Sequence, residues 1–544
     1  MSDPAVSSAV PPRDTVLSPW APLRLPVFRA LWIATVISNV GSWMQNVAAG
    51  WLMTSLAPDP LMVSLIQAAT SLPMFLLALP AGVLADIVDR RRFMIFSQTG
   101  MALVAGALAL VTIAGQTTAW TLLLFTFLLG CGAALLAPAW QAIVPELVPR
   151  SYLPNAIAMN SVGINLSRAV GPAVGGALVA SFGAGIAFGV NSVSFLAIIA
   201  VLLWWKPPAE DSSGDLPPEH FFGAMRSGIR YARHAPALHS VLIRAGVFLL
   251  FASSSWALLP IVAKQQLGGG PYAYGILLAS IGAGAVCGAL LLPTILKPLS
   301  PNSLVAVAGV LFAVATVALG SLRSLPLLVP FMLLLGSCWM FALSSLSTAA
   351  QTSLPRWVRA RALGVYLIVF FGAMSGGSAL WGQVASKTSI STSLWTSAAL
   401  LAVSSLATIG FHISRNEQLN LSPSQHWPLP LNVEVEPHRG PVLVLARYRV
   451  PVANAAEFQR LMRELRRSRE RDGAILWGLF EAMEEPGVYI ETFQAESWME
   501  HLRHHERVTV DEQALERRIR ALLEPDTVPE VTHSLHVCEG RRVS

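Results

Sequence analysis

The sequence predicts an all-α membrane protein of twelve transmembrane helices, followed by a soluble α+β domain. About twelve apolar runs lie between Phe28 and His412, and the acids of this region fall in the breaks between them. A helix needs roughly 20 apolar residues to cross the hydrocarbon, and an acid at its centre costs about 2.5 to 3.5 kcal/mol. The acids therefore mark where the chain leaves the bilayer. After His412 the apolar runs stop, which indicates a second kind of domain.

The composition agrees with a membrane protein. The chain is 54% hydrophobic and 12% charged, and its mean hydropathy is +0.56. Its pI is near 9.4, but the basic residues lie in short breaks between spans, where orientation and anionic lipid explain them better than nucleic acid does. We therefore expect the bilayer as a partner and no nucleic acid.

The longest break between apolar runs divides the spans into two bundles of six. The predicted spans are 28–53, 61–85, 93–114, 119–141, 155–180, 186–205, 239–263, 272–296, 302–320, 326–349, 361–385 and 391–412. The predicted domains are an N-terminal tail (1–27), a first bundle (28–205), a linker (206–238), a second bundle (239–412), a second linker (413–438) and the soluble domain (439–544).

The basic residues also predict the orientation. If the first span starts in the cytoplasm, twelve Lys and Arg residues fall in internal breaks and three in external ones, namely Lys264, Arg323 and Lys387. This asymmetry is the positive-inside pattern. Both termini are expected in the cytoplasm, and the membrane is expected to be the bacterial inner membrane.

The break between spans two and three carries a motif. It reads Gly82-Val-Leu-Ala-Asp86-Ile-Val-Asp89-Arg90-Arg91-Arg92, and it resembles the motif found there in the major facilitator superfamily. The resemblance implies a conformational latch made of Gly82, Asp86, Arg90 and Arg91. The family's usual glycine before the basic pair is Asp89 here. The alternative interpretation is a basic anchor without a switching role.

Span five contains Arg168-Ala-Val-Gly171-Pro172-Ala-Val-Gly175-Gly176. Small residues allow a neighbouring helix to approach closely, and a proline removes a backbone hydrogen bond. The pattern resembles the one at this position in exporters and antiporters of the superfamily. It predicts a hinge or seal formed by Gly171, Pro172, Gly175 and Gly176.

The stretch from Pro145 to Pro172 resembles the transmembrane secretion effector branch, which includes enterobactin exporters. The resemblance covers about residues 25–412. It implies alternating access and export of a medium-sized organic molecule, whether siderophore, drug or metabolite. No cofactor and no catalytic residue is expected from it.

Polar stripes on spans one and five supply the candidate cavity residues. Amides and a cation that face lipid are costly, so these side chains should face the central cavity or another helix. The two alternatives stay open for the amides, whereas a permanent cation within a span usually needs a partner or a ligand. The candidates are Asn39, Gln45, Asn46, Asn165 and Arg168.

The soluble domain reads β-α-β-β-α-β, the order of a ferredoxin-like fold. Predicted strands cover 442–450, 474–483, 487–494 and 530–537, with helices over 453–471 and from residue 497 onward. The segment from Glu485 to His501 resembles antibiotic-biosynthesis monooxygenases, which are dimeric α/β barrels. The resemblance implies a homodimer through this domain, without deciding between catalysis, ligand sensing and dimerisation.

Three histidines in the last predicted helix, His501, His504 and His505, share a helical face closely enough to bind metal. We favour an exposed histidine-rich helix, so no metal site is expected. Two further functions compete with export. One is a bifunctional protein whose soluble domain oxidises the exported molecule, and the other is a membrane-tethered sensor.

Overall fold

The computed structural model describes residues 18, 20–205, 221–295, 299–355, 357–411, 422, 424, 426–427, 436 and 439–537. Long helices fill the first three quarters of the chain. They are α1 (Pro26–Leu56), α2 (Pro60–Ile87), α3 (Arg90–Ile113), α4 (Ala119–Leu147), α5 (Leu153–Phe182), α6 (Ala184–Trp204), the shorter α7 (Phe221–His234), α8 (Pro236–Ile261), α9 (Pro271–Ile295), α10 (Pro301–Ser321), α11 (Leu325–Thr352), α12 (Arg359–Lys387) and α13 (Ile390–Ala407).

Eleven of these helices are long and apolar enough to cross a membrane, counting only the described part of the chain. Helix α1 is also long, at 31 residues. Its polar stripe lowers its hydropathy, which explains why it is not among the eleven. The helices begin where the sequence supplies a start signal: Pro26, Pro60, Pro236 and Pro301 stand in first turns, where the missing N–H costs nothing.

The helices pack in pairs. Within the first six, α1 packs on α5 and α6, α3 packs on α6, and α2 packs on α4. Among the later helices, α8 packs on α12, α9 on α11, and α10 on α13. The most extensive contacts between the two sets join α2 to α12 and α5 to α9. A site enclosed by both sets therefore lies among these four helices.

The C-terminal segment forms a four-stranded antiparallel sheet. Its elements are β1 (Val442–Arg449), α14 (Ala455–Asp472), β2 (Leu476–Glu481), β3 (Val488–Ala495), α15 (Trp498–Arg507), α16 (Val510–Arg520) and β4 (Glu530–Leu535). The strand order is β2-β3-β1-β4. Buried and half-buried residues alternate along β1, and its buried Ala446 and Tyr448 pack in one cluster with Phe458 and Leu461 of α14.

The predicted helix from residue 497 onward is two helices. Helix α15 ends at Arg507, and Thr509 starts α16 because its side chain accepts a hydrogen bond from the N–H of Glu512 while the Glu512 side chain accepts one from the N–H of Thr509. This reciprocal cap is the capping-box arrangement. The prediction of one continuous helix was therefore wrong.

The C-terminal domain contacts the membrane part through α7 and the segment before α12. Arg230 donates to Glu500 at 3.1 Å, and the guanidinium of Arg471 lies 5.4 Å from the ring centre of Tyr231. The guanidinium of Arg507 lies 4.3 Å from the ring centre of Trp357. Because these contacts pair charged groups with a carboxylate, with the buried ring of Tyr231 and with the half-buried ring of Trp357, the docked position is specific.

Candidate functional site

A cavity of about 240 Å³ lies between the two sets of helices. Aromatic side chains from both sets form much of its wall. They are Trp43, Trp256, Tyr274, Trp339, Phe370 and Phe371. Of the described residues that line this cavity, Arg168 alone carries a charge. An aromatic wall with one cation suits a ligand with flat apolar parts and an anionic or oxygen-rich group.

Two of the predicted cavity residues line this space. Arg168 reaches it from α5 and Asn46 from α1. On α1 the lining residues Trp43, Asn46 and Gly50 follow one another at steps of three and four, so they share one face of the helix. The structure thus brings together one amide and the one cation of the predicted set.

The other three predicted residues lie elsewhere. Asn39 lines a separate cavity of about 220 Å³ between α1, α3, α4 and α5. Gln45 is buried and accepts a 3.4 Å hydrogen bond from Asn191 of α6. Asn165 donates to the carbonyl of Ser161 in its own helix at 2.9 Å. For Gln45 and Asn165, hydrogen bonding within the protein is the role that the contacts indicate.

Sequence reasoning missed residues of α2 and α11 that line the main cavity. Gln67, Thr70 and Ser71 form a polar stripe on α2, and their spacing of three and four residues is a signal that the sequence contains. Trp339 of α11 gives no comparable signal, because a tryptophan in an apolar run packs against other helices as often as it lines a cavity. The indole N–H of Trp256 is buried without a hydrogen-bond partner among the described residues.

At one end of the helices, polar contacts join the two sets, and we call these contacts the seal. Ser386 of α12 donates to Asp59 at the start of α2 at 2.5 Å. Lys264 donates to the carbonyl of Thr54 and to the hydroxyl of Ser55, each at 2.9 Å. These polar contacts join the ends of α1 and α2 to the end of α8 and to α12.

The predicted hinge glycines lie at the crossings of α5 with α1 and α9. A Cβ at Gly171 would lie 2.5 Å from Trp43 Cβ, and one at Gly175 would lie 2.8 Å from Met44 Cα. A Cβ at Gly176 would lie 2.9 Å from the Cα of Gly275. Pro172 is inside α5, and its carbonyl faces Gly275. Glycine is needed here because the helix backbones are in contact.

The predicted latch lies at the opposite end of α2. Arg90 forms an ion pair with Glu146 of α4, and Arg91 donates to the carbonyls of Leu202 and Leu203 at 2.6 and 2.9 Å. Asp86 is in the last turn of α2, and its side chain lies outside the described part of the chain. A Cβ at Gly82 would meet no atom within 4 Å. Glu146 is a partner that the motif did not identify.

A second cavity, of about 700 Å³, lies in the C-terminal domain between the sheet and its helices. Arg469 reaches it from α14 and donates to Glu491 at 3.3 Å and to Glu516 at 3.2 Å. Tyr448 donates to Glu491 at 2.8 Å. Burial lowers the pKa of Arg469, but the two carboxylates more than offset this and hold the pKa above its usual value. Arg469 is therefore a buried, paired cation.

Two of the three histidines of α15 are buried and His505 is half-buried, so the prediction of an exposed histidine-rich helix was wrong. His501 and His504 are each 1% exposed. Burial, assisted by the neighbouring His505 and His533 and by Arg469, lowers the pKa of His501 to about 3. His505 and the more exposed His533 lie beside His501 in the wall of the cavity. Position in α15 alone gave no sign that β4 covers this face.

Comparison with known proteins places the chain among membrane transporters. It is 27% identical over 369 residues to the enterobactin exporter EntS of Shigella boydii serotype 4, covering 66% of this chain and 85% of that one. It is 28% identical over 273 residues to the uncharacterized MFS-type transporter YfiS of Bacillus subtilis, covering 48% and 64%. It is 23% identical over 281 residues to the staphyloferrin A transporter of Staphylococcus aureus, covering 51% and 69%.

Solved structures share the fold at lower identity. A bacterial homolog of the lysosomal transporter Spinster matches with a TM-score of 0.55 and 17% identity, covering 72% of this chain and 95% of that one. A POT family transporter matches with a TM-score of 0.59 and 12% identity, covering 71% and 95%. The transmembrane secretion effector family matches residues 17–542. The chain belongs to this family and is a multi-pass MFS-type membrane transporter.

Proposed function

We propose that the chain exports a medium-sized organic molecule across the bacterial inner membrane by alternating access around the cavity at Arg168. One observation carries the proposal: a cation, an amide and aromatic rings from both sets of helices converge on one cavity between the two sets. Relatives named as an enterobactin exporter and a staphyloferrin A transporter support a siderophore-like substrate. A macrolide efflux protein of Streptococcus pyogenes, 24% identical over 266 residues, supports a drug-like one.

The size of the cavity bears on the mechanism. Sites for drug-sized ligands occupy about 300 to 1,000 Å³, and the cavity measures about 240 Å³. It must therefore enlarge to admit such a substrate. Separation of α2 from α12 or of α5 from α9 enlarges it, because these pairs hold the two sets of helices together. That movement is the alternating-access step.

The proposed topology has twelve spans in two bundles of six, with both termini in the cytoplasm. Helix α1 is the twelfth span because it is 31 residues long and packs on α5 and α6. The seal then faces outward, and the latch of Gly82, Asp86, Arg90 and Arg91 faces the cytoplasm. The Arg90–Glu146 ion pair joins α3 to α4 within the first bundle and holds the latch in position there. An ion pair near the surface, such as this one, contributes about 1 kcal/mol to the stability of the arrangement that contains it.

The C-terminal domain is proposed to be a ferredoxin-like ligand-binding module. Its strand order and its cavity of about 700 Å³ support this role. The same cavity is also compatible with a second candidate function. In that function the domain oxidises a small molecule, which the membrane part then exports. Oxygen uptake by the full-length protein with candidate aromatic compounds distinguishes the two, since a sensing or dimerising module consumes no oxygen.

Retention of candidate compounds in cells tests the export proposal. Cells with and without the chain are loaded with a catecholate siderophore, a carboxylate siderophore and a macrolide, and intracellular amounts are measured. We expect the chain to lower the retention of at least one compound. Arg168→Ala should weaken this export by about tenfold or more, since hydrogen bonds to charged groups contribute about 1.5 to 3 kcal/mol.

The matched control is Asn165→Ala, since Asn165 lies one turn from Arg168 and donates within its own helix. It should export like the wild type at equal membrane levels. Equal retention of every compound with and without the chain would contradict export. Full export by the Arg168→Ala variant would show that the substrate does not depend on Arg168, and it would contradict the cavity at Arg168 as the substrate site.

A further inference from the structure

Three histidines converge in the wall of the C-terminal cavity. His501 and His505 are four residues apart on α15, so they share one face of the helix. His533 comes from β4, where it pairs with Val444 of β1. Neighbours across a sheet point to the same side, and Val444 lines the cavity. One ring nitrogen from each histidine lies within 4.8 Å of the others.

The spacing of the first two rings matches that of two ligands on one ion. The Nε2 atoms of His501 and His505 are 3.2 Å apart. Two nitrogens bound to a tetrahedral zinc ion at about 2.0 to 2.1 Å lie about 3.3 Å from each other. The Nδ1 atoms of both rings are buried without a hydrogen-bond partner among the described residues. Only one proton can lie between the two facing Nε2 atoms. Without a further ligand, the ring nitrogens of His501 and His505 therefore have too few hydrogen-bond partners for buried polar atoms.

We propose that His501, His505 and His533 bind one divalent ion of a first-row transition metal, such as Zn²⁺. Three imidazoles with no carboxylate favour zinc, copper, nickel or iron over magnesium and calcium. Three protein ligands also leave a coordination position free, as in sites that bind a small molecule rather than in closed structural sites. That position faces the cavity of about 700 Å³. An oxygen or nitrogen donor of an organic ligand in the cavity completes the coordination.

Metal binding to the full-length protein tests the site. The protein is purified in detergent through a tag without histidine, stripped with a chelator and titrated with Zn²⁺ by calorimetry and with Co²⁺ by absorption. One ion should bind per chain, and Co²⁺ should give the visible bands of nitrogen ligation at low coordination number. His533→Ala should weaken binding by about tenfold or more, in line with the sensitivity of metal sites to changes around the ion.

The matched control is His536→Ala, three residues further along the same segment and outside the three-histidine group. It should bind Zn²⁺ like the wild type. Because His533 is exposed on an edge strand, its loss should leave folding intact, which circular dichroism checks. Absence of stoichiometric binding overturns the proposal. Equal binding by His533→Ala and the wild type, or equal losses in both variants, also overturns it.

Discussion

At the scale of single residues, charge decides which predicted groups matter. Arg168 was predictable because a guanidinium inside an apolar span needs a partner or a ligand, and it lines the central cavity. Amides are less informative, since they also satisfy neighbouring helices. Asn46 faces the cavity while Gln45, the next residue back, bonds Asn191. Consecutive residues of a helix point in directions about 100° apart. The polar pattern alone does not tell which of these directions faces the cavity.

The buried Arg469 gives a prediction for the C-terminal domain. Arg469→Met leaves Glu491, which is 0% exposed, without its cation. Removing one partner of a buried pair costs about 3 to 5 kcal/mol. We expect the free energy of opening of β1 and β3, measured by hydrogen exchange on the full-length protein, to fall by this amount.

Arg460→Met is the control, because Arg460 is on the same helix and forms only exposed pairs with Glu457 and Glu464. Exposed pairs contribute about 0 to 1 kcal/mol. An equal small effect of both substitutions would mean that the buried network does not stabilise the sheet.

At the scale of helices and strands, hydropathy and start signals determined most boundaries. The predicted span 61–85 corresponds to α2, Pro60–Ile87, and the predicted strand 442–450 corresponds to β1, Val442–Arg449. The division of α15 from α16 was missed although Thr509 and Glu512 form the T-x-x-E pattern with which a capping box starts a helix. The three-histidine group was missed because its third member is on a strand that only the sheet topology brings near.

The crossing of α5 and α9 gives a prediction for the seal. Gly176→Ala places a Cβ 2.9 Å from the Cα of Gly275, which forces the helices apart. We expect the seal to open more often. A cysteine introduced at Thr54, which is 1% exposed and belongs to the seal, should then react faster with a membrane-impermeant maleimide.

Gly100→Ala is the control, since a Cβ there would meet no atom within 4 Å. It should leave the labelling rate unchanged. Unchanged labelling in Gly176→Ala would show that this crossing does not hold the seal closed.

Helix α7 gives a prediction for the docking of the C-terminal domain. Arg230→Ala removes the 3.1 Å contact with Glu500, where both side chains are 15% exposed. We expect broader distance distributions between spin labels on α14 and α12. Ile229→Ala should not change them, because Ile229 is 48% exposed on the same helix. Identical distributions in wild type and Arg230→Ala would mean that the other contacts, including those of Tyr231 and Trp357, hold the domain without this ion pair.

At the scale of the whole molecule, the membrane part and the C-terminal domain are predictable separately but not together. Apolar runs and the β-α-β-β-α-β pattern are local signals. The contacts of Arg471 with Tyr231 and of Arg507 with Trp357 join residues more than 100 positions apart. The periodicity of apolar residues along the sequence does not predict such contacts. The same holds for the seal, where Ser386 meets Asp59. Docking places helix α15, with its histidines and Glu500, directly against the transporter.

Cross-linking the seal tests alternating access most directly. Asp59→Cys and Ser386→Cys are combined in a chain whose Cys131, Cys287, Cys338 and Cys538 are replaced by alanine. The native side-chain oxygens are 2.5 Å apart, so the two cysteines are neighbours, and a disulfide forms where their Cβ atoms approach to about 3.5 to 4.5 Å. Each single cysteine variant, treated with the same oxidant, is the control. Oxidation should abolish export of a compound that the chain expels, and reduction should restore it. Undiminished export by the fully cross-linked protein would contradict transport through an opening seal.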